Sequence, residues 1–166
     1  MYMTQEADNA VRIVFCLAEG GRRRDARFIA ERTGVSLRFA LKILGKLAAN
    51  DIVKSYKGQG GGYELTKAPE KITLNDVIET VDGPYALNKC LHGNHECTMD
   101  DSEACCFREV YADISRTITQ KLEAVSFAQL LMKKVSGQAT SQRWVLTFFE
   151  TVDGPYALNK CLHGNH

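Results

Sequence analysis

The run Lys57-Gly58-Gln59-Gly60-Gly61-Gly62 narrows the choices for this chain more than any other stretch. Four glycines in the five positions 58 to 62 argue against a helix and for a tight reversal. Ile52 to Tyr56 and Tyr63 to Leu65 have strand composition on either side, so the segment reads as a hairpin. A nucleotide-binding loop is the competing assignment, but no Gly-Lys-[Ser/Thr] follows and no helix opens behind it. Lys54 and Lys57 charge the hairpin. Gly58, Gly60, Gly61 and Gly62 allow its backbone to bend sharply and come near a phosphate chain, where lysine displaces counterions.

Three helices are predicted ahead of the hairpin. Ala10, Ile13, Val14, Leu17 and Ala18 recur at helical spacing up to a stop at Gly20-Gly21, with Cys16 inside the pattern as a core thiol. After Arg22-Arg23-Arg24, Asp25 is placed to cap a short helix ending at Thr33-Gly34. Ser36 then caps a third, whose apolar stripe is Leu37, Ala40, Leu41, Leu44 and Leu47, with Arg38, Lys42 and Lys46 on the opposite face. Two helices joined by a short glycine turn, the second basic and followed by a hairpin, form a winged helix-turn-helix whose second helix enters the major groove of double-stranded DNA. The expected fold class is mainly α with a small β wing and a long dimerisation helix.

Charge supports this division. Residues 1–67 carry 12 Lys and Arg against 7 Asp and Glu, residues 68–112 carry 3 against 9, and the remainder 6 against 4. An anionic partner therefore suits the first third and not the acidic middle. No apolar run approaches the roughly 20 residues of a membrane span, and the start MYMTQEADNA lacks the layout of a secretory signal, so the expected location is cytoplasmic. In that compartment six cysteines point to metal or redox chemistry rather than disulfides. No Ser-His-Asp or paired-carboxylate motif argues for an enzyme.

Thr73-Leu74-Asn75-Asp76 has the form of a capping box for a short helix through Val77, Ile78 and Val81, stopped by Asp82-Gly83-Pro84. A loop follows with Cys90, Cys97, Cys105 and Cys106, and with His92 and His95 between the first two thiols. Thiolates are soft donors for iron-sulfur clusters and for zinc. Spacing does not choose between cluster, zinc and unligated thiols, because neither the paired zinc pattern nor a ferredoxin pattern is present. Beyond the loop, Val110, Tyr111, Ile114, Ile118, Leu122 and Val125 repeat at threes and fours over about five turns. A helix that long and one-sided is expected to pair with its copy in a homodimer. Phe127 to Met132 is a shorter closing helix.

The run GVSLRFALKILGKLAANDIVKSYKGQGGGYEL, with TQEADNAVRI before it and the cysteine segment after, resembles the Rrf family of bacterial winged-helix transcription regulators over residues 3 to 131. The resemblance implies a dimer that binds DNA through helix-turn-helix and wing and holds an iron-sulfur cluster near the dimer interface. [2Fe-2S] is favoured over [4Fe-4S], and zinc is the alternative. It also implies Cys90, Cys97 and Cys105 as ligands, with Cys106 a spare thiol or a replacement for Cys105. Where some relatives have a histidine ligand this chain has Arg108, and Asp8 matches the aspartate that other relatives contribute from the partner subunit. Glu6, His92, His95 and Cys106 compete for that fourth place. At the wing tip Lys57 replaces an arginine common among relatives, keeping charge but losing the planar fork that reads base edges. Sensing of redox state, nitric oxide or iron follows as the expected role. The alternatives are a cluster-free thiol or zinc regulator of the same fold, or a metal- or redox-handling protein.

The expected layout is a DNA-binding region at 1–67, a short helix and cysteine loop at 68–106, dimerisation and closing helices at 107–136, and an extension at 137–166. That extension repeats ETVDGPYALNKCLHGNH, residues 79–95, letter for letter at 150–166. Identity at positions as exposed in type as Asn88 and Asn94 argues against an old functional repeat and for a recent duplication, an introduced segment or a sequence-assembly error. It reaches no counterpart of Cys97, Cys105 or Cys106, so it is expected to be a mobile extension carrying half a site.

Overall fold

The chain alternates helix stops with helix starts through its first fifty residues, and the backbone follows them. In the computed structural model, which describes residues 3–58, 60–91 and 105–135, α1 runs Gln5–Gly20 and begins where the Thr4 hydroxyl accepts from the Ala7 N–H at 3.1 Å. Gly21 ends it. Helix α2, Ala26–Thr33, is capped by Asp25, whose carboxylate accepts from the Phe28 N–H at 2.9 Å. Gly34 follows at φ 71°, a left-handed conformation costly for other residues, and the chain turns into α3, Leu37–Ala49. Ser36 stands at the N-cap of α3 as expected by position, but its side chain makes no capping bond.

The hairpin is present as strands β1, Val53–Tyr56, and β2, Gly62–Leu65, paired antiparallel with Val53 opposite Leu65 and Tyr56 opposite Gly62. A single residue from the α1–α2 connection extends this sheet. The Arg24 N–H donates to the Tyr63 carbonyl at 2.9 Å and the Tyr63 N–H donates back to the Arg24 carbonyl at 2.7 Å. A 3-10 turn at Pro69–Lys71 leads to α4, Leu74–Asp82, which carries the predicted capping box. There the Asp76 N–H donates to the Thr73 hydroxyl at 3.2 Å and the Thr73 N–H to the Asp76 carboxylate at 2.8 Å. A second 3-10 turn spans Lys89–Leu91, followed beyond the undescribed stretch by α5, Cys106–Glu123, and α6, Phe127–Val135.

The core is shared rather than confined to the first third. Ala10, Ile13, Val14 and Leu17 of α1, Ile29 of α2, and Ala40, Ile43, Leu44 and Leu47 of α3 meet Val53, Ile72, Val77 and Phe127 in one buried cluster. Phe127 is fully buried, and its N–H donates to the Ile72 carbonyl at 3.0 Å, so the start of α6 is clipped beside the start of α4. Burying such a side chain contributes about 1.5–3 kcal/mol. Cys16 is buried as predicted.

One sequence expectation needs correction. Leu37 and Leu41, assigned to the inward stripe of α3, are 39% and 43% exposed, while Ile43 is fully buried. At 3.6 residues per turn the inward arc is centred on Ala40, Ile43, Leu44 and Leu47. Leu37 and Leu41 fall outside it. Residues Met1–Met132 make one compact unit, and of the remaining unit, Lys133–His166, only the end of α6 is described. The duplicated segment 150–166 lies outside the described residues, and no described helix is long and apolar enough to cross a membrane.

Candidate nucleic-acid interface and cysteine loop

Helix α3 presents Leu37, Arg38, Leu41, Lys42 and Gly45 to the exterior. Its three predicted basic residues are not equivalent. Arg38 is exposed, and among the described residues no ion pair engages it. Lys46 turns back onto the protein, with its Nζ 2.9 Å from the Glu6 carboxylate and donating to the Val81 carbonyl at 3.2 Å. Lys42 reaches the same carboxylate at 3.3 Å but keeps more than half of its side chain in solvent. Hydrogen bonding from Lys46 holds the Glu6 carboxyl below the usual carboxylate range, against the opposing effect of burial, and Lys42 adds to it. Glu6 thereby ties the first turn of α1 to the middle of α3.

The wing is built around its glycines. A Cβ at Gly62 would lie 2.5 Å from the Arg24 carbonyl oxygen, so the bridge between Arg24 and Tyr63 requires glycine there. At the tip the Gly61 N–H donates to the Gly58 carbonyl at 2.9 Å, with Gly58 and Gly60 at φ 87° and 81°. These glycines are thus demanded by the wing's own backbone, whatever it touches. Lys54 and Lys57 are exposed, and the Lys54 ammonium lies 5.3 Å from the Tyr56 ring centre.

Arg23, passed over in the sequence as part of a basic run, also belongs to the wing. Its guanidinium stacks 3.5 Å from the Tyr56 ring centre and donates to the Gly60 carbonyl at 3.3 Å, beside Glu64. Tyr56 donates to the same Glu64 carboxylate. The three-residue run between the stop of α1 and the cap of α2 carries no local signal of this contact, which joins it to a strand formed much later in the chain.

Cys90 sits on the 3-10 turn at Lys89–Leu91, which packs against α5, and Cys105 occupies the N-cap of that same helix. The loop therefore leaves and returns along one helix. Its entry is held by the Leu87 N–H donating to the Ser115 hydroxyl of α5 at 3.0 Å. The Cys90 and Cys105 thiols are half-buried and in no disulfide, and Cys106 is exposed in the first turn of α5. Such soft, accessible donors at the two ends of one loop suit a thiolate-ligated cluster or zinc. Cys97, His92 and His95 lie outside the described residues, and among those described no three His, Cys, Asp or Glu side chains converge as a metal site. Asp8 is half-exposed in the first turn of α1 and pairs with Arg12 at 2.8 Å. Glu6 is engaged by Lys42 and Lys46 as described.

Helix α5 differs from the rest in what it leaves uncovered. Phe107, Val110 and Ile114 are exposed, and Ser115 is its one buried residue among those described.

Comparison with known proteins agrees with this architecture. The chain is 30% identical over 115 residues to the transcriptional regulator IscR of Aliivibrio salmonicida, a match covering 69% of this chain and 67% of that one. Among solved structures, T. potens IscR superposes with a TM-score of 0.64 at 22% identity, covering 88% of this chain and 96% of that chain. The global cysteine regulator CymR of B. subtilis does so with a TM-score of 0.63 at 23% identity, covering 78% and 95%. Both likenesses are of fold. The Rrf2 family profile, described as an iron-dependent transcriptional regulator, matches residues 3–133. This chain belongs to the Rrf2 family of transcriptional regulators.

Proposed function

We propose that the protein is a cytoplasmic homodimeric repressor-type regulator whose DNA binding responds to an iron-sulfur cluster held by the loop between Cys90 and Cys105. The observation that carries this reading is the placement of both thiols against α5, whose neighbouring face exposes Phe107, Val110 and Ile114. Pairing of α5 with its copy would bury that face and bring the two loops toward the partner subunits. Cys90, Cys97 and Cys105 would be the thiolate ligands, with Cys106 as the substitute third and Asp8 of the partner subunit completing the site. A cluster so held, [2Fe-2S] in preference to [4Fe-4S], would supply a labile centre sensitive to oxidants, nitric oxide or iron supply.

The chain's own residues offer the link from that site to DNA. Asp8 lies two positions from Glu6, and Glu6 holds Lys42 and Lys46 of α3. The Thr4 hydroxyl donates to the Asp82 carboxylate at 2.7 Å, so the same turn of α1 also grips the end of α4. Displacement of this turn would move α3 and the loop entry together, which is how occupancy at Asp8 would alter the spacing of two recognition helices. On DNA, Arg38 and the N-terminal half of α3 would occupy the major groove, with Lys42 at its margin and Lys54, Lys57 and the wing glycines along the phosphates.

The test is anaerobic purification followed by visible spectroscopy, iron, sulfide and zinc analysis, light scattering and duplex binding. A coloured, iron- and sulfide-containing dimer whose operator affinity changes at least 10-fold on chelation is expected. An iron-free product after reconstitution would overturn the cluster, and zinc at one per chain would assign the thiols to zinc. Arg38→Ala should weaken operator binding about 10-fold without altering the spectrum, consistent with loss of one base or phosphate contact.

A further inference from the structure

The outward face of α3 is not the basic surface that a purely electrostatic contact would need. Its centre is apolar and open: Leu37 and Leu41 are 39% and 43% exposed, and Gly45 continues their row one turn further on. Charge lies to one side of this row, at Arg38 and Lys42. Gly45 is the more telling residue. Among the described residues a Cβ built there meets nothing within 4 Å, so no packing with them calls for glycine in the middle of this helix. Glycine is the poorest helix former after proline, and alanine would fit the protein better. A missing side chain on an exposed helix face is useful where a ligand must come close to the backbone.

The geometry points to Leu37 and Leu41 as base-reading residues that contact thymine methyl groups on the floor of the major groove, with Gly45 allowing α3 to sit deep enough for them to reach. This inference rests on the DNA-binding reading above and adds its specificity. The occupant is double-stranded DNA rather than a second copy of the chain, because the apolar row is bordered by Arg38 and Lys42. A groove rimmed by phosphates complements that border, whereas an identical positive face would repel it. Thymine is the base selected, since its 5-methyl group is the apolar feature the major groove displays. The leucines then discriminate A·T from G·C at the positions they cover.

The experiment uses the full chain, reconstituted with its metal, and an operator selected from a random duplex library. Each thymine in the selected site is replaced by deoxyuridine, which removes the methyl and keeps the pairing edge. One or two positions should lose affinity about 4-fold each, the value of one buried methyl group. In Leu41→Ala or Leu37→Ala the sensitive position should become indifferent to the same replacement. Gly45→Ala should raise the melting temperature by about 3 °C while weakening operator binding about 5-fold or more, opposite signs that a merely structural glycine would not give. Selection of an operator in which no deoxyuridine matters, or in which Leu37→Ala and Leu41→Ala both keep the wild-type pattern, would overturn the thymine contact and leave DNA binding intact. Dissociation of the dimer by Leu41→Ala, with thymine dependence unchanged, would assign the row to protein contact and overturn it also. Failure to enrich any duplex would remove the DNA-binding reading itself, and this inference with it.

Discussion

Helices α3 and α5 have similar amphipathic patterns and opposite fates. On α3 the apolar arc through Ala40, Ile43, Leu44 and Leu47 is buried against α1 and the rest of the core. On α5 the comparable arc through Phe107, Val110 and Ile114 stays exposed. Periodicity records that a helix has something to bury, and only the surrounding elements decide whether the chain itself covers it. For α3 the helices before and after close around it. For α5 the described part of the chain offers α4 and the cysteine-loop entry, at Ser115, and leaves Phe107, Val110 and Ile114 open.

Substitutions can sharpen this contrast. The largest effects are expected in the shared core: Phe127→Ala should cost about 3–5 kcal/mol in urea denaturation, and Leu44→Ala on the covered helix about 2–5 kcal/mol, because each leaves a cavity. Ile114→Glu on α5 should leave the circular dichroism spectrum of the fold in place yet shift light scattering from dimer to monomer. An unchanged dimer would place the interface elsewhere. Next in size, Thr73→Ala removes the side-chain half of the α4 capping box and should lower stability by about 1 kcal/mol.

The smallest expected effect, and the one most informative about coupling, is at Glu6. Its carboxyl is depressed below the ordinary range by Lys46 and Lys42, so the unfolded chain takes up its proton first as pH falls. The contribution is complete above the ordinary glutamate value of about 4.3 and is lost as pH falls through the lower folded value. Glu6→Gln should therefore lose less stability than the wild type between about pH 5 and 3, while differing by under about 1 kcal/mol at pH 7, since Lys42 and Lys46 are partly solvated. Equal acid sensitivity of the two proteins in denaturant titrations would mean that the Glu6 bridge contributes nothing to folding.

Much of the winged helix was legible because its signals are local. Asp25, Gly34, the Thr73–Asp76 box and the glycines after Lys57 each act within a few residues, and each ended or began an element where expected. The candidate DNA surface was legible only in part. Arg38, Lys42 and Lys46 share one side of a helix by spacing, yet the partner that draws Lys46 inward is Glu6, 40 positions earlier in the chain. Likewise Arg23 gave no sign of its place on Tyr56, because the contact joins the α1–α2 connection to a strand formed much later. The thiols were legible as a set, but that Cys90 and Cys105 lie along the same helix follows from packing.

By itself, then, the sequence determined where helices begin and stop, where the hairpin turns, and which residues carry thiols. Those outcomes depend on backbone conformational preferences and on hydrogen bonds spanning three or four residues. Tertiary structure alone decided which arc of α3 faces inward, that Leu37, Leu41 and Gly45 form its outer row, and that Glu6 joins α1 to α3. The reason is physical: burial and ion pairing are properties of neighbours in space, and residues far apart in the chain become neighbours only once the core around Phe127, Ile43 and Leu44 has closed.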